Sequence, residues 1–189
     1  MDNPSGSQNN SMDKHILDKK FAPYLAEGTI REAISQIAFS INSDYKSKKP
    51  LFVAILNGSF MFASDLFKEI SIPSEITFVK LSSYTGTQSS GIVTTSIGMD
   101  VSIKNRDIII LEDIVDTGKT LTTFIEELKK EEPSSIRICA LLHKQKATTH
   151  PIPIDYLGFT IPNLFVVGYG LDYNGFGRNM KDIHQLQEG

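Results

Sequence analysis

The chain of 189 residues predicts one α/β domain, with a largely parallel sheet carrying helices on both faces. Three observations lead there. Short, purely apolar runs alternate with amphipathic stretches of helical period, as expected of strands buried on both faces. An apolar content of 40% at this length supplies one sizeable core. No internal repeat and no linker divides the chain.

Residues 1–13, MDNPSGSQNNSMD, are rich in Ser, Asn and Gly and predict a disordered arm, leaving 14–189 as the single domain. In TIREAISQIAFSI, Ile30, Ala33, Ile34, Ile37, Ala38 and Ile41 share one helical face, and Thr29 with Glu32 spells a capping box. LFVAIL (51–56) reads as a buried strand, FMFASDLFKEI as a short amphipathic helix and ITFVKLSSY as a strand. TGTQSSG has almost nothing to bury, so 84–92 reads as a mobile loop, followed by a strand around VTTSIGM. DIIILED is a buried strand, KTLTTFIEELKKE a helix and SIRICALL another buried strand. A proline-bearing connection, THPIPI, leads to strands at DYLGFT and FVVGY.

Composition excludes several classes of function. A net charge of −3 gives no electrostatic reason to expect a long anionic partner such as nucleic acid. The longest apolar run has six residues, far short of a membrane span. The N-terminus lacks the basic-then-apolar order of a secretion signal. A single cysteine, Cys139, sits in the apolar IRICALL and reads as core, which fits a reducing cytoplasm.

In sheets of this kind, ligands bind where strand ends fan out into loops at the carboxyl edge. NGS after Leu56, EDIVDTGKT after Leu111, HKQK after Leu142 and GLDY after Tyr169 all fall there. IIILEDIVDTGKTL (108–121) joins a glycine turn opening a helix, suited to an anion, to three carboxylates that repel one. It is no Walker loop, since the position of that motif's first glycine is Asp113. A sugar monophosphate resolves the conflict. Amides from Asp116 through Thr117, Gly118, Lys119 and Thr120 enclose the phosphate, with Gly118 permitting close approach. Glu112 and Asp113, at the strand end, accept from sugar hydroxyls, and Mg²⁺ bridges them to a second anionic group. The ligand that meets all of this is a phosphorylated ribose bearing pyrophosphate. A helix that merely begins with acids is the plain alternative.

That segment resembles the phosphoribosyl-pyrophosphate motif of the type I phosphoribosyltransferases. LNGSFMFASDL, LSSYTGTQSSG, CALLHK and FVVGYGLDYNGFGRN are similar, in order and spacing, to blocks of their hypoxanthine-guanine branch. The likeness spans about residues 15–185. It implies the type I fold, with a small hood and a mobile active-site loop. It implies Mg²⁺-dependent transfer of phosphoribosyl from phosphoribosyl pyrophosphate to N9 of hypoxanthine or guanine, and a homodimer or homotetramer.

Residue roles follow from the same resemblance. Asp116 would be the general base for the purine N7 proton, and Glu112 and Asp113 would hold ribose hydroxyls directly or through Mg²⁺. Lys144 would contact the purine 6-position; its donor-only ammonium fits a 6-oxo group and not adenine's amino group. Phe165 would stack on the base, while backbone groups of Val166 and Asp172 read its other edge. On the residues alone, Lys144 reads equally as a solvated lysine and Phe165 as core. Asp172 would also bind metal, and Arg178 pyrophosphate. Ser83 and Tyr84 would cover the leaving group as the loop closes.

Two positions depart from the pattern. Asn57-Gly58 stands where many relatives carry Lys-Gly, in a loop where relatives hold a non-proline cis peptide. KQKATTH lacks an arginine that several relatives carry after the lysine, and Lys146 is the nearest substitute charge. Two other functions share the scaffold: transfer to xanthine or another nucleobase, and non-catalytic nucleotide sensing with RNA binding.

Overall fold

The computed structural model describes residues 12–83, 93–97 and 101–187. In chain order these form β1 (Lys14–Ile16), β2 (Lys19–Leu25), α1 (Glu27–Asp44), β3 (Leu51–Leu56), α2 (Phe60–Glu69), β4 (Glu75–Ser83), β5 (Val93–Ile97), β6 (Asp107–Val115), α3 (Lys119–Lys130), β7 (Ser135–His143), β8 (Tyr156–Thr160), β9 (Val166–Val167) and β10 (Ile183–Leu186). The predicted alternation is present, and residues 1–11 and the loop 84–92 lie outside the described residues.

The main sheet has the order β5-β4-β3-β6-β7-β8. All its pairings are parallel except that of β5 with β4, so the largely parallel reading holds. Each face carries its own core. Ile109 and Leu111 of β6 pack with the inward faces of α1 and α2, while Ile108 and Ile110 pack with Leu121, Phe124 and Leu128 of α3. The buried residues of α1 are the six that the periodicity picks out. Each large aliphatic among them contributes about 1.5–3 kcal/mol of burial. Cys139 is fully buried, and burial pushes its thiol well above the ordinary range, so it is core.

A smaller antiparallel sheet, β1-β2-β10-β9, forms the hood. Its β1, β2 and β10 have no counterpart in the sequence reading, and FVVGY shrinks to the two residues of β9. Among the described residues Ile16, Phe21 and Val167 form a small cluster of their own in the hood, while Val166 and Ile183 join the main core, so few apolar positions fall in any one of these strands to produce a period.

Helix α1 also corrects an expectation. Thr29 lies inside the helix, which begins two residues before it at Glu27 with Ala26 as an uncapping N-cap. The Thr29–Glu32 box therefore does not form. A carboxylate distant in sequence substitutes: Asp182 Oδ1 accepts from Glu27 N–H at 2.7 Å, tying the hood strand β10 to the first turn. Removing a cap of this kind costs about 0.5–2 kcal/mol. Asp182→Ala should lower the unfolding free energy by that amount, read as a lower urea midpoint with an unchanged m-value.

Candidate active site

The main sheet splits at one place. β3 pairs with β6 only from Leu51↔Ile108 to Ala54↔Leu111. Beyond that point Ile55 and Leu56 pair with β4 alone, while β6 continues beside β7 to Val115↔His143. The chain order also reverses there, β4 lying to one side of β3 and β7 beyond β6, so the crevice is a topological switch point. Glu112 and Asp113 are the first residues past the split. They lie within β6 rather than at its end, because pairing with β7 carries the strand to Val115.

Side chains of successive strand residues point apart, and these two carboxylates part company. Glu112 lines a cavity of about 120 Å³ together with Asp116, Thr117, Gly118 and Thr120. Its Oε2 is shut off from solvent and has no hydrogen-bond partner. Burial, reinforced by the neighbouring Asp113 charge, pushes its carboxyl well above the usual range. Asp113 instead lies against Gly58: a Cβ built there would fall 1.6 Å from Asp113 Oδ2. Position 58 must be glycine for that carboxylate to occupy its place. Burial raises Asp113 to about 6, while the N–H groups of Ile114 and Asp113 and the Arg178 charge pull the other way.

The turn after β6 supplies the anion side. Gly118 has φ +79°, the left-handed region, and a Cβ there would lie 2.3 Å from His150 O. It is the N-cap of α3 and brings no capping side chain; Lys119 N–H makes a long 3.4 Å bond to Thr117 Oγ1, a weak hold that a ligand anion can replace. Lys119 is exposed and does not line the cavity.

Lys144, only 8% exposed, follows β7 and reaches across to Asp116, with Nζ 2.8 Å from Oδ2. The sequence reading placed both residues at the site but missed this pair. Its signal is the register: β6 and β7 run parallel to Val115↔His143, so residues just beyond them are neighbours. Lys146 is exposed. Phe165 is 46% exposed, with its ring 6.3 Å from Phe21 and 5.9 Å from Tyr173, so it is not simply core. Val166 is buried and pairs with Gln185.

Arg178 spans the remaining corner. Nη2 meets Asp172 Oδ1 at 2.5 Å and Nη1 donates to Gly170 O at 2.7 Å, while Asp172 Oδ2 accepts from Gly175 N–H at 2.7 Å. Asn57 is exposed, and the Leu56–Asn57 peptide is cis, as the resemblance implied. Ser83 ends β4, and Tyr84 lies outside the described residues.

The phosphoribosyl transferase domain family matches residues 24–174. A hypoxanthine-guanine phosphoribosyltransferase of Lactococcus lactis is 42% identical over 173 residues, covering 90% of this chain and 94% of that one. A hypoxanthine-guanine-xanthine phosphoribosyltransferase of Tritrichomonas foetus is 33% identical, covering 84% and 87%. A solved hypoxanthine phosphoribosyltransferase of Staphylococcus aureus superposes with a TM-score of 0.83 at 39% identity, covering 87% of this chain and 90% of that one. The chain belongs to the phosphoribosyltransferase family, on its hypoxanthine-guanine branch.

Proposed function

We propose that the protein is a purine-salvage transferase moving 5-phosphoribosyl from phosphoribosyl pyrophosphate to N9 of hypoxanthine or guanine, giving IMP or GMP. The observation that carries this reading is the Lys144–Asp116 pair at the rim of the phosphate turn. On a 6-oxopurine, O6 and N7 lie side by side on one edge. A donor-only ammonium next to a carboxylate complements that edge, Lys144 donating to O6 and Asp116 accepting the proton at N7. The base would separate the pair and give each member a partner.

The other residues divide the sugar between them. Amides of the 117–120 turn hold the 5-phosphate, and Glu112 Oε2 accepts from a ribose hydroxyl. The C1′ bond to pyrophosphate breaks as the bond to N9 forms, and the purine proton passes to Asp116. Arg178 exchanges Asp172 for pyrophosphate oxygens. Phe165 offers an exposed face to the base from beside the hood. Ser83 and Tyr84, on the loop side, would shield the leaving group.

The donor set fits Mg²⁺. Among the described residues no three His, Cys, Asp or Glu side chains are grouped to hold an ion alone. Mg²⁺ takes only one or two carboxylates, which the acids past the strand split could supply, and completes its shell with water and substrate oxygens. Glu112, Asp113 and Asp172 are the candidates, Asp172 once Arg178 leaves it. The ion would neutralise charge on the pyrophosphate leaving group.

Two outcomes follow. In a base panel with phosphoribosyl pyrophosphate and Mg²⁺, hypoxanthine and guanine should react and adenine should not, while Asp116→Ala should lose roughly 10²-fold or more. Rapid use of adenine contradicts the role of Lys144, and preference for xanthine moves the chain to the related activity. RNA binding without turnover would favour a sensor.

Glu112→Gln should lower turnover yet raise the ligand-free Tm at pH 8, by roughly 2–4 °C for each kcal/mol relieved. The sign follows from the raised carboxyl of Glu112. Its ionisation destabilises the fold as pH climbs through the elevated value, and the penalty vanishes below the ordinary carboxylate range. The gain in Tm should therefore shrink towards zero near pH 4.

A further inference from the structure

Residues 144–150 form a strap that accounts for the orientation of the phosphate turn. Three consecutive carbonyls, those of Val115, Asp116 and Thr117, all accept hydrogen bonds from it. Lys144 N–H donates to Val115 O at 2.9 Å, and Thr149 and His150 N–H donate to Thr117 O at 3.1 and 3.0 Å. The middle carbonyl, Asp116 O, is held by a side chain, the Thr148 hydroxyl, at 2.9 Å.

The geometry of the peptide bond turns this into a statement about the anion. In a trans peptide the C=O of one residue and the N–H of the next point in opposite directions. Drawing those carbonyls onto the strap aims the N–H groups of Asp116, Thr117 and Gly118 away from it. These are cavity-lining residues. The Thr148 hydroxyl has a single proton to give. Given to Asp116 O, it leaves Oγ1 to accept from His143 Nε2, 3.0 Å away, in the tautomer protonated there. Lys144 O lies 3.1 Å from the same oxygen, a second acceptor for that proton. Thr148 thus adjoins the main chain of both members of the Lys144–Asp116 pair.

We propose that Thr148 is a positioning residue for phosphate binding. Its hydroxyl locks the Asp116–Thr117 peptide so that the Thr117 amide faces the 5-phosphate, with His143 orienting the hydroxyl from behind. The assignment rests on the proposed function for the identity of the anion, and on the strap geometry for everything else.

Thr148→Val keeps the shape and removes the hydroxyl; Thr148→Ser keeps the hydroxyl. Calorimetric titration with ribose 5-phosphate reads the cradle without requiring turnover. Steady-state kinetics then read KM for phosphoribosyl pyrophosphate, KM for hypoxanthine and kcat. The valine variant should weaken ribose 5-phosphate and raise the phosphoribosyl pyrophosphate KM by roughly fivefold to tenfold, the scale of one lost hydrogen bond. Hypoxanthine KM and kcat should stay within about twofold on the same grounds, and serine should restore the wild-type values. Unchanged ribose 5-phosphate affinity in the valine variant overturns the proposal. So does equal loss in both variants, or a fall in kcat alone tracking a lowered Tm. Wild-type protein that binds ribose 5-phosphate but turns over no purine sinks the transferase reading and leaves the role of Thr148 standing.

Discussion

The parting of β3 from β6 after the Ala54↔Leu111 pair is the constraint on which the site depends. In a continuous sheet, residues 112 and 113 would have β3 on one side and β7 on the other. Their side chains would then join the cores that α1, α2 and α3 cover. Loss of one neighbour opens a crevice at the level of the acids while β7 still holds the strand straight to Val115. The same opening lets Asp113 press against Gly58 and puts the α3 N-terminus at the end of the cavity that Glu112 lines. Strand alternation separates the two acids, so Asp113 turns towards Gly58 while Glu112 shares its cavity with the phosphate turn, and one ligand can meet both.

The price of that arrangement is visible in the carboxylates. Glu112 carries a buried oxygen without a partner, and both acids are raised by burial. Unpaired buried polar atoms of this kind are uncommon in stable cores and concentrate where ligands complete them. Lys144 and Asp116 differ, since each satisfies the other. In the proposed function a bound purine exchanges that one charge-assisted contact for two, which favours a ligand presenting an acceptor and a proton on adjacent atoms.

Much of this was legible in the sequence, for physical reasons that differ by element. α1, β3 and β7 bury dense apolar sets, so period and run length identify them. β1, β2 and β10 bury few residues in short strands, and β2 carries Pro23, so no period emerges. The false capping box shows the limit of local signals, because Asp182 supplies the cap from 155 residues away. At the site, residue types pointed to loops that the structure brings together, whereas the divergence of Glu112 from Asp113 needed the strand end to be placed at Val115. The Lys144–Asp116 pair and the Thr148 strap depend on parallel register, which no single segment encodes.

A crystal structure with IMP bound is the decisive measurement. The 5′-phosphate is expected within hydrogen-bonding distance of the main-chain N–H groups of residues 117–120, Glu112 on a ribose hydroxyl, and O6 and N7 against Lys144 and Asp116. A phosphate seated elsewhere, or a Lys144–Asp116 pair left intact beside the bound base, would contradict that expectation.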